Sequence, residues 1–139
     1  MNAWVVLDPV TLAVVDTYAS ESSRKKDYSG YLNVCLHLPV PEGLDPTVIM
    51  AVRDSESGEI TLQEDPQKVA AKTQAQWTSV RAQQSDLLYK SDWTCSVVDP
   101  PAPILAQRDQ WIAYRAALRD VTTQSDPFNI VWPSPPVAN

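Results

Sequence analysis

Along residues 1–64 the apolar positions come in short runs or alternate with polar ones, whereas beyond residue 65 they recur every three or four residues. Period two marks a strand with one buried face, and a period near 3.6 marks a helix with an apolar stripe. Residues 4–7 and 12–15 flank Asp8-Pro9-Val10-Thr11, where the proline pre-sets a turn backbone, so the pair reads as a hairpin. In residues 31–38, Leu32, Val34, Leu36 and Leu38 fall on one face, and Tyr31, Asn33, Cys35 and His37 on the other. Pro39 and Pro41 end that strand, because proline has no N–H to give to a ladder. Residues 48–52 and 59–62 bracket Asp54-Ser55-Glu56-Ser57-Gly58, a second hairpin signal with Gly58 free to take a left-handed turn position. The first 64 residues thus predict four to five strands in a small antiparallel sheet, whose open face the second half of the chain would cover.

The period changes at Asp65-Pro66, an N-cap residue followed by proline at the first helical position. Residues 67–90 contain no Gly or Pro, and Val69, Thr73, Trp77, Val80, Gln84, Leu87 and Leu88 form a stripe at helical spacing. Pro100, Pro101 and Pro103 exclude helix and make a stiff connector. A second helix, residues 104–121, brings Ile104, Trp111, Tyr114, Arg115 and Leu118 to one side. Two helices so connected return antiparallel, with Trp77, Val80, Leu87 and Leu88 zipped against Trp111 and Leu118. Seven of the twelve prolines follow residue 99, and Trp132-Pro133-Ser134-Pro135-Pro136 predicts an extended, polyproline-like tail. Such a tail makes few helix or ladder bonds, so the fold is expected to survive loss of residues 129–139. The expected class is α+β: a β-rich subdomain over residues 1–64, serving as an adaptor or docking unit, then an antiparallel helical hairpin with a Pro-rich tail over residues 65–139.

Composition narrows the function. Five Trp and five Tyr stand against a single Phe; Trp and Tyr pair a large apolar body with a polar handle and are enriched at interfaces. The net charge of −6 argues against nucleic acid, which needs a basic face. Residues 1–64 carry the whole excess, with ten acidic against four basic side chains, while residues 65–139 are balanced at seven of each. Cys35 and Cys95 give no disulfide framework. No secretion signal opens the chain and no apolar stretch reaches the roughly 20 residues that span a bilayer, so synthesis in a reducing cytosol and no membrane partner are expected.

Catalytic chemistry finds no foothold. His37 is the only histidine; with Cys35 two residues away it shares a strand face, but no third, orienting group can be nominated. The three glycines are scattered, which excludes a phosphate-cradling loop. Asp54, Glu56 and Glu59 fit a charged hairpin tip rather than a calcium loop. No catalytic residue, metal site or cofactor is expected. What stands out is a polar-aromatic set in the second half: Trp93, Trp111, Tyr114, Arg115, Arg119, Trp132 and Pro133. Asp92, just past the first helix, is placed to cap the next turn or to pair with Arg115 or Arg119.

The strings Arg81-Ala82-Gln83-Gln84-Ser85-Asp86-Leu87-Leu88, Ser91-Asp92-Trp93-Thr94, Tyr114-Arg115-x-Ala117-Leu118-Arg119-Asp120 and Trp132-Pro133-x-Pro135, taken in order, resemble the phage tail assembly chaperone protein family over residues 76–136. Gln84-Ser85 stands where that family usually has Arg-Asp, and Cys95 where it has Gln. The resemblance implies a non-enzymatic bacteriophage protein that binds a tail or tail-fibre subunit and assists its folding or assembly in the host cytoplasm. On that basis Trp93, Trp111, Tyr114, Arg115, Arg119, Trp132 and Pro133 are the expected partner contacts. Two other readings stand beside it: a permanent minor component of the virion tail or fibre, and receptor or glycan recognition by the first half through Trp4, Tyr18, Tyr28 or Tyr31.

Overall fold

In the computed structural model the described residues are 3–19, 35–95 and 102–137. The chain divides into two compact units, Met1–Lys72 and Thr73–Asn139, with the division falling inside the first helix. The class is α+β, a β-rich first half with five strands in two sheets among the described residues, followed by helices.

In the first unit β1 (Trp4–Leu7) lies between β2 (Val14–Tyr18) and β3 (Leu36–Pro39), antiparallel to both. The Asp8 carboxylate accepts the N–H groups of Val10 and Thr11 and so builds the β1–β2 turn. The expected strand 31–38 is described only from residue 35, and β3 occupies Leu36–Pro39. Pro39 is its last residue, and Val40 donates onward to the Ala3 carbonyl at 2.8 Å. β4 (Ile49–Arg53) and β5 (Ile60–Glu64) form a separate antiparallel hairpin. At its tip the Asp54 carboxylate accepts Glu56 N–H, Ser57 N–H and Ser57 Oγ–H, and Gly58 takes φ +73°.

One sheet was expected and two are present, which changes what covers the open face. Val5, Leu7, Val40 and Ile49 are buried together, with Leu36, Leu38, Ala51, Ile60 and Leu62 packed around them. The face of β1 and β3 that alternation makes apolar is therefore closed by the β4–β5 hairpin from within the same unit. The opposite face of β1 gathers Val6, Tyr18 and Cys35, with Trp4 stacked on Tyr18 at a centroid separation of 6.2 Å.

α1 (Pro66–Lys90) starts where expected. Asp65 Oδ1 accepts the Gln67 and Lys68 N–H groups at 2.9 and 3.4 Å, and Pro66 holds the first position, where its missing N–H costs nothing. Within the first unit, Lys68 Nζ donates to the Ile49 carbonyl at 2.7 Å, and Lys72 pairs with Asp45. All seven stripe positions, Val69 to Leu88, are half-buried or buried.

The second helix departs from expectation. It comes in two pieces, α2 (Ala102–Ala106) and α3 (Arg108–Asp120), separated at Gln107 with φ −112° and ψ 15°. α2 includes Pro103; in a first turn proline lacks only an N–H that has no helical partner, so it starts the helix rather than forbidding it. The connector expected over 97–103 lies outside the described residues up to residue 101. α1 and α3 run antiparallel: Gln84 reaches the Leu118 carbonyl, Arg115 reaches the Leu88 carbonyl, and Gln76 reaches Pro127 beyond α3. No helix among the described residues is long and apolar enough to cross a membrane.

Candidate partner-binding site

The end of α1 determines the site. The last carbonyls of a helix have no intrahelical donor. Ser91 answers part of this need: its N–H lies 3.2 Å from both the Leu87 and Leu88 carbonyls, and its hydroxyl 2.9 and 3.0 Å from them. The chain then turns through a short 3-10 helix, Asp92–Cys95, which Thr94 closes by donating to the Ser91 carbonyl at 2.6 Å. That turn sets Trp93 on the surface, 54% exposed.

Arg115 supplies the rest from α3. Its Nη1 donates to the Leu88 carbonyl and the Ser91 hydroxyl, both at 2.7 Å, and its Nη2 to Asp92 Oδ1 at 2.8 Å. A buried guanidinium thus sits on the C-terminal end of α1, where the helix dipole favours positive charge. Between Arg115 and Arg119 as partners for Asp92, the structure selects Arg115; the Arg119 side chain is exposed and makes no hydrogen bond or ion pair with the described residues.

Beside this node runs an aromatic series. Trp93 meets Trp111 edge-on at 5.8 Å and 61°, and Trp111 meets Tyr114 at 5.8 Å and 83°. Edge-to-face contacts of this kind add to area burial because ring edges are positive and ring faces negative. Tyr114, Leu118 and Val121 form the buried cluster behind them, with Leu87, Leu88, Trp111, Ile130 and Trp132 packed against it. The buried Trp111 Nε1 and Arg115 Nε have no hydrogen-bond partner among the described residues.

Among the residues singled out from the sequence, Trp93, Trp111, Tyr114 and Arg115 come together at this one corner. Trp132 packs against the same buried cluster, Pro133 follows it half-buried, and Arg119 stands apart. Ile130 and Trp132 pack against this cluster, so the tail makes side-chain contacts as well as main-chain ones. Residues 130–137 carry neither helix nor strand.

Three glutamines went unnoticed as site residues. Gln84 donates to the Leu118 and Arg119 carbonyls at 2.8 and 3.1 Å, so each long helix has its C-terminal carbonyls capped by a side chain of the other. Gln124 both accepts from Val131 N–H and donates to Val131 C=O, at 2.9 and 3.0 Å. Gln107, at the α2–α3 break, donates to the Val137 carbonyl at 2.6 Å. The one signal was the polar Gln84 inside an apolar stripe.

In the first unit, Cys35 is buried beside Val6 and Tyr18, and His37 Nδ1 lies 3.3 Å from the Tyr18 hydroxyl. Tyr18, offered for glycan recognition, is buried, Trp4 is half-buried against it, and Tyr28 and Tyr31 lie outside the described residues. No group of three or more potential metal ligands occurs among the described residues.

Residues 77–137 match the family model described as phage tail assembly chaperone protein. The matched segment contains α1 from Trp77 onward, the Trp93 turn, α3 and the clamped tail. It supports a role in phage tail assembly. No curated protein and no solved structure matches the chain.

Proposed function

We propose that the protein is a non-enzymatic binding partner of a bacteriophage tail or tail-fibre subunit, which it shields during assembly in the host cytoplasm. Subunits of fibrous assemblies carry apolar faces and strand edges that are open before they meet their neighbours, and a dedicated partner prevents wrong pairings. One observation carries the reading: within the family-matched segment, an exposed Trp93 is held edge-on against Trp111 in a turn fastened by Arg115. A large aromatic surface held in a fixed geometry loses little freedom on binding, the property that makes Trp a frequent interface anchor. In this reading Trp93 makes the contact, and Trp111, Tyr114 and Arg115 hold it in place. Arg119 and the Trp132-Pro133 segment border the same unit and extend the surface, and residues 1–64 serve as the adaptor.

The test is co-expression with the phage's own tail and tail-fibre subunits followed by affinity capture. Trp93→Ala is expected to cut the captured subunit by about tenfold or more, as truncation of an interface anchor does, with far-UV circular dichroism unchanged. Trp93→Phe should keep part of it. Equal capture by Trp93→Ala and the native chain would remove Trp93 from the interface.

A further inference from the structure

The chain seats its own tail along α3. Gln107 stands at the N-terminal end of that helix and Gln124 lies just beyond its C-terminal end, and each fastens one end of residues 131–137. The thirteen-residue α3 is about 20 Å long, and seven residues drawn out cover about the same distance. What fastens them is unusual. The hydrogen bonds of Gln124 and Gln107 to the tail all end on main-chain atoms, at Val131 and Val137. No backbone–backbone hydrogen bond holds residues 130–137 among the described residues, and Pro133, Pro135 and Pro136 have no N–H with which to make one.

Only Ile130 and Trp132 enter the cluster of Tyr114, Leu118 and Val121, while Val131 and Val137 stay 78% and 80% exposed. The seat therefore recognises a short drawn-out backbone with one aromatic side chain ahead of proline. Its occupant is tied by three glutamine contacts and the half-buried Ile130 and Trp132 side chains, and by no ladder or helix.

We propose that residues 130–137 are an exchangeable strap, and that the seat along α3 receives an extended segment of a partner polypeptide bearing an aromatic residue followed by proline. The tail is a built-in stand-in for that segment: it covers the apolar cluster until a partner displaces it. That the partner is a tail subunit rests on the function proposed above; the exchange itself does not.

A fluorescently labelled peptide of residues 126–139 serves as the probe. It is titrated against the native chain, a chain ending at Asn129, and full-length Trp132→Ala, in which the indole's place in the cluster is emptied while the glutamine contacts to the tail backbone are kept. A tethered competitor acts at an effective concentration near the millimolar range, so both altered chains are expected to bind at least about tenfold more tightly than the native one. A peptide with Trp132→Ala should bind none of the three.

Equal affinity for native and emptied chains overturns the proposal. So does absence of binding by altered chains that retain their circular dichroism, or unfolding of both, because a strap without which the unit cannot fold is not exchangeable. A native chain that is dimeric by light scattering and loses the dimer on truncation makes a second copy's tail the occupant, and overturns the foreign partner. Peptide binding without capture of any tail subunit leaves the exchange standing and removes the assembly reading.

Discussion

The two units of this chain are held together by different means. In the first, aliphatic side chains of β1, β3, β4 and β5 meet in one buried cluster, strands pair by backbone ladders, and the Asp8 and Asp54 carboxylates close turns within three residues of themselves. In the second, long polar side chains cross between segments and end on backbone carbonyls. Arg115 reaches Leu88, Gln84 reaches Leu118, Gln76 reaches Pro127 and Gln107 reaches Val137. A ladder spreads its hydrogen bonds over many residues, whereas a clamp concentrates them in one side chain. Apart from Lys68, which reaches the Ile49 carbonyl, single polar substitutions should therefore be less damaging in the β unit than in the helical one.

The largest effects test whether the two cores are equivalent where polar clamps play no part. Leu7 and Leu118 are both fully buried, and truncating either to alanine should cost about 3 kcal/mol by lost transfer and cavity formation. Equal losses in urea titrations would place the difference between the units in their polar groups. A far smaller loss for Leu118→Ala would mean the helical cluster is loosely packed, and would undercut the fixed geometry assumed for Trp93.

Arg115→Met comes next. It keeps most of the apolar stem but removes the guanidinium donor from the Leu88 carbonyl, the Ser91 hydroxyl and Asp92, of which the Leu88 carbonyl still has Ser91. Asp92 is 60% exposed and recovers water, so the cost falls on the two buried acceptors, about 2 kcal/mol in all. Arg53→Met at the exposed end of β4 is the matched control, expected within about 0.5 kcal/mol of native. If the two substitutions cost the same, the contrast between clamp and ladder fails. One step smaller, Gln84→Ala frees the Leu118 and Arg119 carbonyls at a helix end, for about 1 kcal/mol, and should raise hydrogen exchange at the end of α3 before anywhere in β4 or β5.

The same contrast explains what could be read from the sequence. The α1 stripe was legible because a 25-residue helix repeats its period many times, and because Asp65-Pro66 marks its start in two neighbouring residues. Tyr114, Arg115 and Leu118 were legible as one face for the same reason. Alternation showed which side of a strand is apolar, but not what covers it, so two sheets were expected as one. The clamps left almost no trace: Gln107 and Gln124 look like ordinary surface residues, and their roles depend on where another segment passes. The prolines pointed to a tail without helix or strand, and what they did not show is its packing, whose one sign was Trp132 in their midst.

The smallest effect concerns acid. Asp8, Asp45 and Asp54 of the first unit are held below the ordinary aspartate range. Asp8 is lowered by the backbone N–H groups of Thr11 and Val10, Asp54 by Ser57 and Glu56, and Asp45, to about 2, by Lys72 and then Thr47. Among the described residues of the second unit Asp126 is lowered, by Asn129 and the Phe128 N–H. A carboxyl whose folded pKa lies below its unfolded value of 3.8 stabilises the fold fully above that value and loses the contribution as pH falls toward the folded one. For Asp45 the window runs from about 4 down to about 2. Asp45 and Lys72 are both substantially exposed, so the effect is a modest slope rather than a collapse. Hydrogen exchange followed between about pH 5 and pH 2 should therefore show β4 and β5 amides losing protection at a higher pH than those of α3, with Asp45→Asn flattening the slope in the first unit alone. Simultaneous loss of protection in both units, unaltered by Asp45→Asn, would mean that turn carboxylates do not set the first unit apart.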